Sequence, residues 1–211
     1  MWKKYEVELQ MTGWFAASIP KTKDEIQKML ENRMPAKPPA DFILIDELTD
    51  VVAEKVGVAG EVTEEEAELE YGWATFPRNE AGLYYEGRCI RGHIKDCANQ
   101  IRDFLKVKAL KSKVANKVYV MTDVIPLGAT EPAGTQQRFI QVITRLGPRS
   151  TIKYVDYLEK PTLKFKLNVL DDGIITKEIL NSIFKYGSVH GLGQERSQGW
   201  GRYTFTISEV Q

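Results

Sequence analysis

Three stretches of strict alternation bound what this chain can fold into. In residues 5–11, YEVELQM, Tyr5, Val7, Leu9 and Met11 fall on one side and Glu6, Glu8 and Gln10 on the other. In residues 162–170, TLKFKLNVL, Leu163, Phe165, Leu167 and Val169 alternate with Lys164, Lys166 and Asn168. In RYTFTIS, residues 202–208, Tyr203, Phe205 and Ile207 alternate with polar neighbours. A period of two with one apolar face is a half-buried strand. One such strand stands at the front of the chain and two near its end, so a sheet built from them joins distant segments.

Helical spacing fills much of the rest. Around residues 88–106 a helical wheel puts Ile90, Ile94, Cys97, Ala98, Ile101, Phe104 and Leu105 on one side. It puts Arg88, Arg91, Lys95, Arg102 and Lys106 on the other. ITKEILNSIFKYG reads as a second long helix, with Ile175, Ile179, Ile183 and Phe184 on its apolar face and Gly187 as its C-cap. Thr22 and Glu25 form a capping box that opens a helix ended by the prolines of MPAKPPAD. DFILIDELTDVVAEKVG reads as another helix; YGWATF, KVYVMTDVIPL and RFIQVITRL read as strands. Helices packed on one face of an antiparallel sheet predict an α+β, ferredoxin-like (RRM-like) fold. The stretch between the first strand and the main helix is too long for a plain loop. A helical insertion is therefore expected over residues 20–75, inside a single domain spanning 1–211.

Charge is balanced overall, 29 basic against 29 acidic residues, but unevenly placed. EVTEEEAELE, residues 61–70, carries six glutamates and reads as a mobile loop or exposed helix. Residues 88–117 carry nine lysines and arginines against Asp96 and Asp103. A polyanion meets local charge, not net charge. No apolar run is long enough for a membrane span, and the N-terminus lacks a signal peptide's apolar stretch, so a cytoplasmic protein without membrane contact is expected. Cys89 and Cys97, eight residues apart on one helix, would sit about 12 Å apart. That is too far for a disulfide, so two free thiols are expected.

The most unusual stretch is GLGQERSQGWGRY, residues 191–203. Gly191, Gly193, Gly199 and Gly201 let backbone approach a ligand closely, and Arg196 and Arg202 supply positive charge. Backbone N–H groups there would suit phosphates. The same residues would also suit a plain helix–strand connection whose glycines serve packing. Neither a Walker loop nor a dinucleotide fingerprint is present.

The form G-x-G-x(5)-G-x-G-R between a helix and a final strand resembles the glycine-rich loop of the RAMP superfamily, the repeat-associated RNA-binding proteins of CRISPR systems. GLYYEGRCIRGHIKDCANQI, residues 82–101, resembles that family's y-I-P-G-S-S-L-K-G-x-x-R segment. Gly87 and Gly92 match its glycines and Arg91 its basic residue; Arg88-Cys89 replaces its Ser-Ser and Tyr85-Glu86 its Ile-Pro. The two blocks are 20 and 13 residues long. The resemblance implies binding of single-stranded RNA, by a subunit that assembles with other RAMP-like subunits or with its own copies. Relatives also occur in phage and prophage genomes. The RNA-binding residues it points to are Arg88, Arg91, Lys95, Gly191, Gly193, Arg196, Gly199, Trp200, Gly201 and Arg202. Trp200 is the aromatic expected to stack on a ligand or on a neighbouring subunit.

Some relatives are ribonucleases that use a histidine. His190, at the head of the glycine loop, is the corresponding general acid/base candidate. His93 borders an apolar stripe and reads as structural. Cys89, His93 and Cys97 cannot meet one ion on an intact helix, so no metal and no cofactor are expected. Three readings follow: a non-catalytic RNA-binding protein, a metal-independent endoribonuclease using His190, and a phage interaction protein that keeps the fold without nucleic-acid binding.

Overall fold

The computed structural model describes residues 1–32, 45–57, 72–144 and 147–210. In chain order the elements are β1 (Trp2–Met11), β2 (Trp14–Ala16), β3 (Ile19–Pro20), α1 (Lys23–Glu31), α2 (Ile45–Val56), β4 (Trp73–Thr75), β5 (Arg78–Asn79), β6 (Gly82–Glu86), α3 (Gly87–Leu105), α4 (Leu110–Lys117), β7 (Val118–Val120), β8 (Val124–Pro126), β9 (Gly134–Thr144), β10 (Gly147–Glu159), β11 (Thr162–Leu170), α5 (Lys177–His190) and β12 (Tyr203–Val210). A 3-10 turn spans Arg196–Gln198. The chain divides into two compact units. One holds residues 1–16, 82–129 and 158–211; the other holds 17–81 and 130–157.

The first unit contains the three alternating stretches as strands of one sheet, ordered β12-β1-β11-β7, with antiparallel neighbours. Two strand–helix–strand runs, β1–α3–β7 and β11–α5–β12, feed that order, which makes the unit α+β and ferredoxin-like. The register follows the apolar pattern. Val7 stands opposite Phe165 on one side and Ile207 on the other, and Leu9 opposite Leu163 and Phe205. On α5, Phe184 stacks at a tilt against Phe165 (6.4 Å between centroids) and Phe205 (5.7 Å). On α3, Ile90, His93, Ile94, Cys97, Ala98 and Ile101 are buried. Burying each large apolar side chain contributes about 1.5–3 kcal/mol.

Two sequence expectations need correction here. Gly187 does not cap α5; the helix runs on to His190 and ends at Gly191, whose φ is +84°. Gly187 is where α5 crosses α3. A β-carbon there would come within 2.2 Å of Tyr203 Oη and 2.7 Å of His93 Nε2. Phe104, placed on the apolar stripe by the wheel, is 84% exposed, because the burial of α3 ends at Ile101.

In the second unit, β10 pairs antiparallel with β9 and parallel with β4, and β3 pairs with β4. Residues 20–75 contribute α1, α2 and β4; residues 33–44 and 58–71, including the glutamate run, lie outside the described residues. Thr22 caps α1, its hydroxyl accepting from the Glu25 N–H at 3.4 Å. Ile19, Ile26, Ala53 and Val56 form a small core with Leu30 and Val52. The buried Asp156 carboxylate accepts from Trp73 Nε1 (2.7 Å) and Thr135 Oγ1 (2.6 Å), so its desolvation is offset by hydrogen bonds. Among the described residues, no helix is long and apolar enough to cross a membrane.

Candidate nucleic-acid interface

The glycine loop is folded tightly onto its own unit. The Leu192 N–H donates to Gly201 O (2.8 Å) and the Gly201 N–H to Trp14 O (2.8 Å). The Gly191 N–H donates to Gly187 O and the Gly199 N–H to Arg196 O. Gly201, at φ +69°, lies against Leu192, and a β-carbon on Gly191 would sit 2.6 Å from Trp200 O. A β-carbon on Gly193 would meet the Phe15 ring at 3.1 Å. The amides of Gly191, Gly199 and Gly201 are spent on backbone carbonyls. Trp200 is 7% exposed and packs edge-on against Trp14, 5.0 Å between centroids.

Arg196 reaches from the loop to α3. Its Nη1 lies 3.2 Å from Asp96 Oδ2 and 2.7 Å from His190 Nε2. Nε2 of His190 thus meets the Arg196 guanidinium at the mouth of the loop. The same Nε2 is 3.2 Å from Asp96 Oδ2. Burial would raise the Asp96 carboxyl, but the hydrogen bonds from Arg196 and His190 outweigh it and hold the group below the usual carboxylate value. His190 also stacks on Tyr186 at 5.3 Å. The three side chains form a clasp between α3, the end of α5 and the loop. Beneath it His93 is buried, Nε2 2.9 Å from Tyr203 Oη, and Cys97 Sγ lies 3.6 Å from the same nitrogen. Burial, then the charges of His190 and Arg196, push the His93 imidazole down to about 4. Burial, then the charge of Asp96, pushes the Cys97 thiol up to about 12. Cys89 and Cys97 are both free.

The cations of α3 lie off its buried stripe. Arg88 and Arg91 are exposed and Lys95 is half-buried. Arg88 pairs with Glu86. Arg91 Nη2 donates to Ala115 O at 2.9 Å. From Arg88 to Arg102 the helix advances about 21 Å. Past Arg102 the α3–α4 connection opens a surface cavity of about 550 Å³, lined by Asn99, Arg102, Asp103, Lys106, Val107, Lys108, Ala109, Leu110, Lys111 and Ser112. Only Arg102 has an ion pair there, with Asp103 at 3.5 Å; Lys106, Lys108 and Lys111 have none among the described residues. Lys106 and Ala109 hold left-handed backbone, at φ +54° and +53°.

Sequence reasoning counted these lysines as charge but did not assign them a site. The periodic wheel stops at the helix end, and a cavity made by a connection has no period. Trp2 and Tyr119 stand on the outer face of the sheet. Continuing the alternation of β1 back from Tyr5 places Trp2 beside Glu6, and Tyr119 falls between Val118 and Val120. Arg202 is exposed at the start of β12, beside Gly199.

No protein-family description matches this chain, and no curated protein matches it. A solved structure with a similar course is a chain of the Type III-B Cmr-beta complex bound to cognate target RNA, determined by cryo-electron microscopy. The two chains share 12% identity at a TM-score of 0.47 over all of this chain and 61% of that one. This chain thus spans about three fifths of the length of the chain it matches.

Proposed function

We propose that this protein binds single-stranded RNA through the phosphate backbone, without cleaving it, along the cation row of α3 and into the cavity between α3 and α4. The observation that carries the reading is that cavity. Arg102, Lys106, Lys108 and Lys111 converge there with Asp103 as the one acidic residue. Elsewhere in this neutral protein lysines stand beside acids: Lys164 with Glu8, Lys3 with Asp171, Lys23 with Asp50. Gathering four cations around a single acid is unfavourable in a free protein and favourable beneath a polyanion. Lys106 adds a second sign. It occupies a helix end where glycine is usual, and the left-handed conformation costs a side chain on the order of 1 kcal/mol. A strained residue that keeps its charge over a cavity is consistent with use there.

The RAMP-like motifs support RNA as the polyanion, and assembly of several copies along one strand belongs to the same reading. The site residues are then Arg88, Arg91, Lys95, Arg102, Lys106, Lys108 and Lys111, with Arg202 as an outlying contact. The glycine loop holds the end of α5 against α3 rather than touching RNA. His190 serves the clasp, where its ring is held between Arg196 and Asp96, rather than cleavage of RNA. The test is filter binding of a single-stranded oligoribonucleotide at low salt. Arg102→Glu combined with Lys106→Glu should weaken binding at least tenfold, while Lys164→Glu combined with Lys166→Glu should change it far less. Parent-like affinity of the first double variant would overturn the reading.

A further inference from the structure

Trp2 and Tyr119 meet edge to face on the outer side of the first unit's sheet, ring centroids 5.4 Å apart. Trp2 is 47% exposed and Tyr119 37%. Both belong to the polar side of their strands: Trp2 shares its side with Lys4, Glu6 and Glu8, and Tyr119 pairs with Asn168. Neither ring serves the core, which lies on the other side. An outward aromatic pair amid polar residues is the informative kind of exposure. The pair is also held in place. Tyr119 Oη donates to Asn116 O at 3.1 Å, and the Arg91 guanidinium lies 5.5 Å from the Tyr119 ring centroid, within cation–π range. Arg91 is itself a member of the α3 cation row. The row and the aromatic pair are therefore contiguous, joined by one side chain.

We infer that Trp2 and Tyr119 form a stacking platform for an unpaired base of a single-stranded RNA whose phosphates follow the α3 row. This rests on the reading of that row as a backbone path and adds what the bases do. Phosphate contacts position a strand, whereas flat aromatic rings take up bases of any sequence, because every base has a π-face. Arg91 has a part in each: it contributes charge to the row and steadies the Tyr119 ring. The platform predicts sequence-tolerant binding that requires unpaired bases and not charge alone.

Tryptophan emission tests this, since Trp2 is the most exposed of the four tryptophans. The intact chain is titrated at low salt with a 15-nucleotide oligoadenylate and, separately, with heparin, a polyanion without bases. The oligonucleotide should quench part of the emission and heparin should not. Trp2→Ala should lose that quenching and bind the oligonucleotide roughly tenfold more weakly, at unchanged heparin affinity. Tyr119→Ala should weaken oligonucleotide binding similarly, and a thermal melt of each variant confirms that it folds. Salt-dependent RNA binding with parent-like quenching and affinity in Trp2→Ala would overturn the platform and leave the backbone path standing. Binding to neither polymer by the parent would remove both. A change of oligomeric state in Trp2→Ala, with RNA affinity unchanged, would assign the pair to contacts between copies and overturn the inference.

Discussion

Gly201 lies so close to Leu192 that a β-carbon on it would stand 1.9 Å from the Leu192 carbonyl oxygen. That contact closes the glycine loop: Leu192 donates back to Gly201 O, and Gly201 donates to Trp14 O. Gly201→Ala must move backbone at a residue whose φ is +69°. A loss of about 2 kcal/mol or more is expected in urea denaturation. Arg202→Ala, an exposed neighbour, should stay within about 0.5 kcal/mol of the parent. Equal midpoints for Gly201→Ala and the parent would show that the loop is not packed as described.

His93 makes stability depend on pH. Its folded value, held near 4 by burial, lies below the value near 6.5 of an unfolded chain. The unfolded chain therefore takes up a proton that the fold refuses. The contribution of neutral His93 is complete above pH 6.5 and is lost progressively as pH falls toward 4. Over that window it amounts to about 3 kcal/mol. His93→Gln should flatten the stability profile between pH 4.5 and 7, measured by chemical denaturation at each pH. An unchanged slope in the variant would contradict the burial of this imidazole.

The strands of the first unit were legible because each carries its own periodicity; no partner is needed to see that Leu163, Phe165, Leu167 and Val169 share a face. Gly187 and Phe104 were misread for the opposite reason. A glycine near a helix end looks like a cap, and only the crossing of α3 by α5 shows that it makes room for Tyr203 and His93. A wheel puts Phe104 on the stripe, but where a neighbouring element stops is a tertiary fact. The candidate site divides the same way. The charge of residues 88–117 was visible, whereas the turning of Trp200 into the fold and the joining of Arg196, Asp96 and His190 link residues up to 100 positions apart. No local pattern records those.

Lys106 separates function from stability. Lys106→Gly relieves the left-handed strain and removes a cavity cation. Thermal and urea melts should show about 0.5–1 kcal/mol of added stability. RNA affinity should fall severalfold and the salt dependence should lose roughly one phosphate contact. Reduced stability together with unchanged affinity would contradict the role given to this residue.

The clasp predicts local, not global, effects. Arg196→Ala should speed amide hydrogen exchange in residues 192–201 while the β1 and β11 amides keep their protection. It should leave RNA affinity near the parent value, because Nη1 of Arg196 is held by Asp96 and His190. A large loss of affinity would return the loop to the binding surface. RNA incubated with the parent should remain intact on a denaturing gel; cleavage abolished by His190→Ala would replace the binding reading with an endoribonuclease.

The most direct test is the salt dependence of RNA affinity for the unmodified protein. If the α3 row and the α3–α4 cavity engage roughly five phosphates, a plot of log affinity against log salt should fall with a slope of roughly −3.5 between 50 and 200 mM. A flat plot, or no binding to single-stranded RNA at the lowest salt, would contradict the assignment of this surface to a nucleic-acid backbone.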